Sequence, residues 1–134
     1  TADISNTQYR LVNAYYEVGR LIVEAQGGEK RAKYGNKLIK EYSEKLTNEL
    51  GKGYNATNLK RMRQFYLLFE KVAAVRQCFG NLTWTHYKYL LPIDDTGKIT
   101  YYISIAVSQN LSSRELEKRI KSNEYERIEY KEEL

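Results

Sequence analysis

Cysteine, histidine, proline and long apolar runs are nearly missing from this 134-residue sequence, and each shortage closes off a class of protein. A single cysteine, Cys78, cannot form an internal disulfide. One cysteine with one histidine, His86, cannot build a structural zinc site alone. No apolar run approaches the roughly 18 residues that a membrane helix needs, and the N-terminus has no signal-peptide layout, so a soluble cytoplasmic protein without a membrane partner is expected. Phosphate-binding glycine loops, serine elbows and metal-spaced histidines are missing as well. No catalytic template can be filled, so neither a cofactor nor a metal is expected, and the chain by itself is not expected to be an enzyme.

What is present suits a folded protein. Hydrophobic residues make up 42% and charged residues 29%, and at this length one domain over residues 1–134 is expected. Thirteen tyrosines stand against three phenylalanines and one tryptophan. A phenol pairs an apolar body with a polar tip, which suits half-buried and contact surfaces. The net charge of +5 is unevenly spread: residues 1–55 hold 9 bases and 7 acids, 56–88 hold 6 and 1, and 89–134 hold 7 and 9. The basic middle segment points to an anionic partner, with nucleic acid first.

Apolar periodicity predicts an all-α fold of five to six helices. A long first helix fills residues 1–26, capped by Asp3, Ser5 or Asn6, with one stripe at Leu11, Tyr15, Val18 and Ile22 and a second at Val12, Tyr16, Gly19 and Val23. So wide a face fits a central core helix or, alternatively, the seam of a homodimer. After Gly27-Gly28, residues 29–72 read as a helix pair: Leu38, Tyr42, Leu46 and Leu50 face inward on one helix, with Gly35 as a candidate break. Leu59, Met62, Phe65 or Tyr66, and Phe69 face inward on the next, which Asn55 caps. Residues 82–122 hold the C-terminal helices. Thr83 caps one that Pro92 closes, and Ser112 with Glu115 forms a capping box on another. Residues 123–134 are a charged helical tail into which the last helix runs. Around 93–105 a small β-hairpin turning at Asp94-Asp95-Thr96-Gly97 competes with a helix, and the helix is preferred because Ile99, Tyr102, Ile103, Ala106 and Val107 keep its period.

Lys40 to Phe69 thus has the layout of a helix-turn-helix, whose second helix bears Thr57, Asn58, Lys60, Arg61, Arg63 and Gln64 around its first turns. Such residues match the chemistry of a major-groove reader, in which amide and guanidinium groups bond base edges and cations neutralise phosphate. Arg61 and Gln64 are expected to reach bases, and Lys60 and Arg63 to meet phosphates. Arg76 and Lys88 are added as further DNA contacts. A merely solvated basic face is the alternative. His86, between Trp84 and Tyr87, reads as a packed structural histidine. A metal-dependent nuclease pattern forced from Asp94-Asp95 and Glu129-Tyr130-Lys131 is rejected, because no strand pair would position it.

Several stretches together resemble one family. Gly19-Arg20-Leu21-Ile22-Val23-Glu24 precedes Arg31-Ala32-Lys33-Tyr34-Gly35, and Gly51-Lys52-Gly53-Tyr54 precedes Asn58-Leu59-Lys60-Arg61-Met62-Arg63-Gln64-Phe65-Tyr66. Leu82-Thr83-Trp84-Thr85-His86-Tyr87 and Ser113-Arg114-Glu115-Leu116-Glu117-Lys118-Arg119-Ile120 follow in order. The sequence is similar to the YhcG-like bacterial proteins over nearly its whole length. The resemblance implies an N-terminal helical domain that normally precedes a PD-(D/E)xK nuclease domain, which would be its partner in family members. That nuclease domain is absent here, and the chain is expected to be a separated domain or a stand-alone copy. Residues 40–69 and 82–120 also weakly resemble the helix-turn-helix region of ParB-type DNA-binding proteins. The expected function is therefore duplex-DNA recognition for a nuclease-associated protein, with a protein-interaction or dimerisation module as the alternative.

Overall fold

The computed structural model describes residues 4–27 and 32–133, with side chains over 4–27 and 35–129. Eight α-helices and no strand occur among the described residues. Residues 11–71 form one compact unit; residues 72–134 with the first ten form another. Among the described residues no helix is long and apolar enough to cross a membrane.

The unit of residues 11–71 holds most of α1 (Asn6–Gln26), α2 (Ala32–Leu50), a 3-10 turn (Lys52–Tyr54) and α3 (Ala56–Lys71). Ser5 caps α1 by accepting from the Gln8 amide at 3.2 Å. Asp3, the alternative cap, and the expected start of the second helix at Glu29 after Gly28 lie outside the described residues. The second α1 stripe is largely interior, with Val12, Gly19 and Val23 buried. Gly19 lets α1 meet α3 at backbone distance, since a Cβ there would stand 2.1 Å from the Met62 carbonyl oxygen. Of the first stripe only Ile22 is buried. Tyr15 packs edge-on against Tyr54, and Tyr16 meets Tyr66 and Phe69 with tilted rings. The α2 helix runs unbroken through Gly35, correcting the expected break. A side chain at Gly35 would fall 2.1 Å from the Gln26 carboxamide oxygen and 2.8 Å from an Arg63 nitrogen. Leu50, expected inward, is 61% exposed at the end of α2.

The second unit contains α4 (Ala73–Gln77), α5 (Trp84–Leu90), α6 (Thr96–Ser108), α7 (Ser113–Lys121) and α8 (Glu124–Glu133). Here the expected count of five to six helices falls short. The five-residue α4 is too short to show a period, and its cap, Val72, makes no side-chain bond. The charged tail from Asn123 is itself helical, because Arg119 pairs with Glu124 while the Tyr101 hydroxyl donates to the same carboxylate and Lys98 pairs with Glu126. The β-hairpin alternative near 93–105 is overturned: Asp95 accepts from the Gly97 and Lys98 amides at 2.8 and 3.3 Å, turning the supposed hairpin tip into the start of α6. Ile99, Tyr102, Ile103 and Ala106 are buried on α6, joining Tyr87, Leu90 and Leu116 in this core. Ser112 caps α7 as expected, accepting from the Glu115 amide at 3.1 Å, but it is the Ser112 hydroxyl and not its amide that donates to the Glu115 carboxylate, also at 3.1 Å, so the expected box is half made.

Candidate nucleic-acid interface

The basic residues of α3 are placed by the helix start and by what the helix buries. Asn55 accepts from the Asn58 amide at 2.9 Å and caps α3 after the 3-10 turn. Leu59, Met62 and Phe65 go inside. At 100° per residue this turns Thr57, Lys60 and Gln64 outward and puts Arg61 and Arg63 on opposite flanks. Thr57, Lys60, Arg61 and Gln64 are exposed. Neither Lys60 nor Arg61 has a carboxylate partner among the described residues. Arg61 instead takes hold of the Asn58 carboxamide at 3.0 Å, while Asn58 donates to the Gly53 carbonyl at 3.3 Å. Both ends of the Asn58 amide are thereby engaged within the helix start.

Arg63 differs from what its sequence position suggests. It is half-buried and turned to α2, where it donates to Asn36 at 3.4 Å, and its Nη1 is buried without a hydrogen-bond partner. Burial pulls the guanidinium below its usual pKa, the direction expected when a charge loses water. The contact with Asn36 brings in residues that sequence reasoning passed over: Lys37 and Lys40 are exposed on the same first turns of α2. Their spacing around Leu38 and Ile39, both buried, was the available signal. Residues 11–71 carry 12 bases and 7 acids, whereas the rest of the chain carries 10 and 10. All of the net positive charge therefore belongs to the unit that holds α3.

Arg76 and Lys88 belong to the other unit, Arg76 exposed on α4 and Lys88 half-buried on α5. In that unit His86 is structural. Its Nδ1 accepts from the Thr83 amide at 3.1 Å and from the Thr83 hydroxyl at 2.7 Å, and its Nε2 donates to the Leu111 carbonyl at 2.9 Å. Burial lowers its pKa, so the neutral ring is the folded form. Cys78 and Tyr87 also face inward, the thiol 3.2 Å from the phenol oxygen. Burial pushes the thiol up to about 11, far from the range of a reactive thiolate. Neither group is presented for chemistry. The side chain of Lys131, in the rejected nuclease pattern, lies outside those described.

The DUF1016 N-terminal domain model matches residues 2–127. The chain belongs to that family. A protein of Escherichia coli (strain K12) named "Putative nuclease YhcG" is 42% identical over 84 residues, which cover 62% of this chain and 22% of that protein. The chain thus spans about a fifth of the length of this curated relative. No solved structure matches it. As matched, the DUF1016 N-terminal domain takes in every residue singled out above as a nucleic-acid contact, from Thr57 to Lys88.

Proposed function

We propose that this domain is the nucleic-acid-recognition module of a protein that carries a nuclease domain elsewhere, and that it holds duplex DNA against the outward face of α3 as a helix-turn-helix does. The observation that supports this most directly is the exposure of Lys60 and Arg61 on α3 without carboxylate partners among the described residues. Lys60 and Lys40 serve as phosphate contacts, and Arg61 and Gln64 are the exposed side chains of α3 that serve as base-edge contacts. The named nuclease character of the E. coli relative gives such recognition a use.

Fluorescence anisotropy with a short labelled duplex at low and rising salt tests this. The expected non-specific affinity is on the order of micromolar to a hundred micromolar near physiological salt, falling steeply as salt rises. Lys60→Ala weakens binding about uniformly across sequences and lowers the logarithmic salt slope by roughly one. Arg61→Ala costs about 1–3 kcal/mol on a preferred site and relaxes preference there. Absence of binding at low salt and high micromolar protein removes the reading.

One observation favours an interaction module instead. Val18, Leu21, Ile22 and Ala25 of α1 and Tyr42 and Leu46 of α2 line an apolar cleft of about 500 Å³, and Leu21 is 54% exposed. A second copy docked there gives a homodimer. Sedimentation at high concentration then shows a dimer that Leu21→Asp dissolves. A monomer throughout excludes it.

A further inference from the structure

In the unit built from residues 72–134 and the first ten, Ile4, Asn6 and Tyr9 face Phe79, Gly80 and Asn81 across an open cleft of about 450 Å³. A backbone bond from the Ile4 amide to the Gly80 carbonyl, 3.2 Å, joins the two walls. Gly80 holds φ near +103°, a conformation that side-chain-bearing residues rarely adopt, and so turns the chain under the Tyr9 ring. Tyr9 and Phe79 meet edge to face, centroids 5.5 Å apart and planes at 85°. Tyr9 remains 43% exposed. Two carboxamides, Asn6 and Asn81, stand beside the rings.

Two cations adjoin the residues of this cleft in the chain. Arg10 follows one turn beyond Asn6 on α1, Arg76 precedes Phe79 by one turn, and both are exposed. None of the residues that line the cleft is acidic. Aromatic faces flanked by guanidinium groups and carboxamides are the chemistry that takes up a flat heteroaromatic ring attached to phosphate. The geometry points to a second nucleic-acid site in this unit, in which an unpaired base of single-stranded nucleic acid stacks on Tyr9, with Asn6 and Asn81 at its edge and Arg10 and Arg76 toward the adjoining phosphates. It is independent of the duplex reading of α3, which uses other residues in the other unit.

Binding of a fluorescein-labelled oligothymidylate to the full chain, compared with an abasic strand of equal length, tests the site because the abasic strand keeps the phosphates and loses the bases. The unmodified chain binds the thymidylate strand at least about fivefold more tightly, the smallest effect expected of one stacked base. Tyr9→Ala abolishes that preference, Tyr9→Phe retains it, and Arg76→Ala weakens both strands alike. Lys60→Ala lowers duplex binding and leaves the preference for bases intact, which separates failure of this site from failure of the α3 face. Equal affinity of the unmodified chain for the two strands overturns the proposal whatever the variants do. So does an undiminished preference in a Tyr9→Ala variant shown to be folded by circular dichroism.

Discussion

His86 shows how much of one residue's character is set by its two nitrogens. With the Thr83 amide and hydroxyl donating to Nδ1, the proton of the neutral ring must sit on Nε2, where it reaches Leu111. Burial lowers the pKa of the ring, and protonating Nδ1, which would set two N–H groups against one another, is resisted by the folded state as well. A folded pKa below the unfolded value of about 6.5 means that stability is complete above that value and is lost as pH falls toward and through the folded pKa. The urea midpoint of the parent is therefore expected to drop between about pH 7.5 and about pH 5.5, and His86→Gln to flatten that part of the profile. An equal slope in the variant assigns the loss to other groups. Arg63 gives the opposite lesson. Its buried, unpartnered Nη1 costs free energy that an apolar chain of similar shape avoids. Arg63→Met is expected to melt no lower than the parent; a clear drop in Tm assigns the guanidinium a stabilising contact instead.

Among the helices, local signals were legible and distant ones were not. Asn55, Thr83 and Ser112 were readable as caps because a cap bonds an amide two or three residues ahead, within reach of the sequence itself. The start of α6 was ambiguous because Asp94-Asp95-Thr96-Gly97 serves a turn and a cap equally; the burial of Ile99, Tyr102 and Ala106 on one helical face decides it. The helical character of the charged tail was legible, but not that it docks as the separate helix α8, which depends on Arg119, Tyr101 and Lys98 reaching from earlier helices. Gly19 was readable as a close-approach position, though not its partner. A methyl at Gly19 meets the Met62 carbonyl, backbone that cannot swing aside, so α1 and α3 must separate. Gly19→Ala is expected to cost about 1–3 kcal/mol in denaturant unfolding. Gly53→Ala, where a methyl would approach only the Tyr15 hydroxyl at 3.7 Å, is expected to stay within about 0.5 kcal/mol. Equal costs at the two positions exclude close packing as the reason for Gly19.

At the scale of the whole molecule, the sequence already showed a basic centre, but its boundaries followed chain position rather than folding. Residues 56–88 hold six bases, and they divide between two compact units: Lys60, Arg61, Arg63 and Lys71 in one, Arg76 and Lys88 in the other. That division rests on contacts between segments far apart in sequence, above all the joining of the first ten residues to those after 72, which no periodicity reveals. Of the eight residues expected at the interface, four stand exposed on α3; Asn58 and Arg63 are engaged within their own unit, and Lys37 and Lys40 stand exposed on α2. Regrouped by unit, the bases exceed the acids by five in 11–71 and by none elsewhere. A long-range pull on a polyanion should then come from one unit only. Each phosphate neutralised on duplex DNA adds about 0.9 to the slope of log affinity against log salt. Replacing Lys37 and Lys40 together with glutamine is expected to lower that slope by about two if both meet phosphate. Replacing Arg114 and Lys118, exposed on α7 in the charge-balanced unit, is expected to leave it unchanged. The pairs remove the same formal charge, so equal losses from both would mean that net charge alone drives binding and that no face of the molecule is privileged.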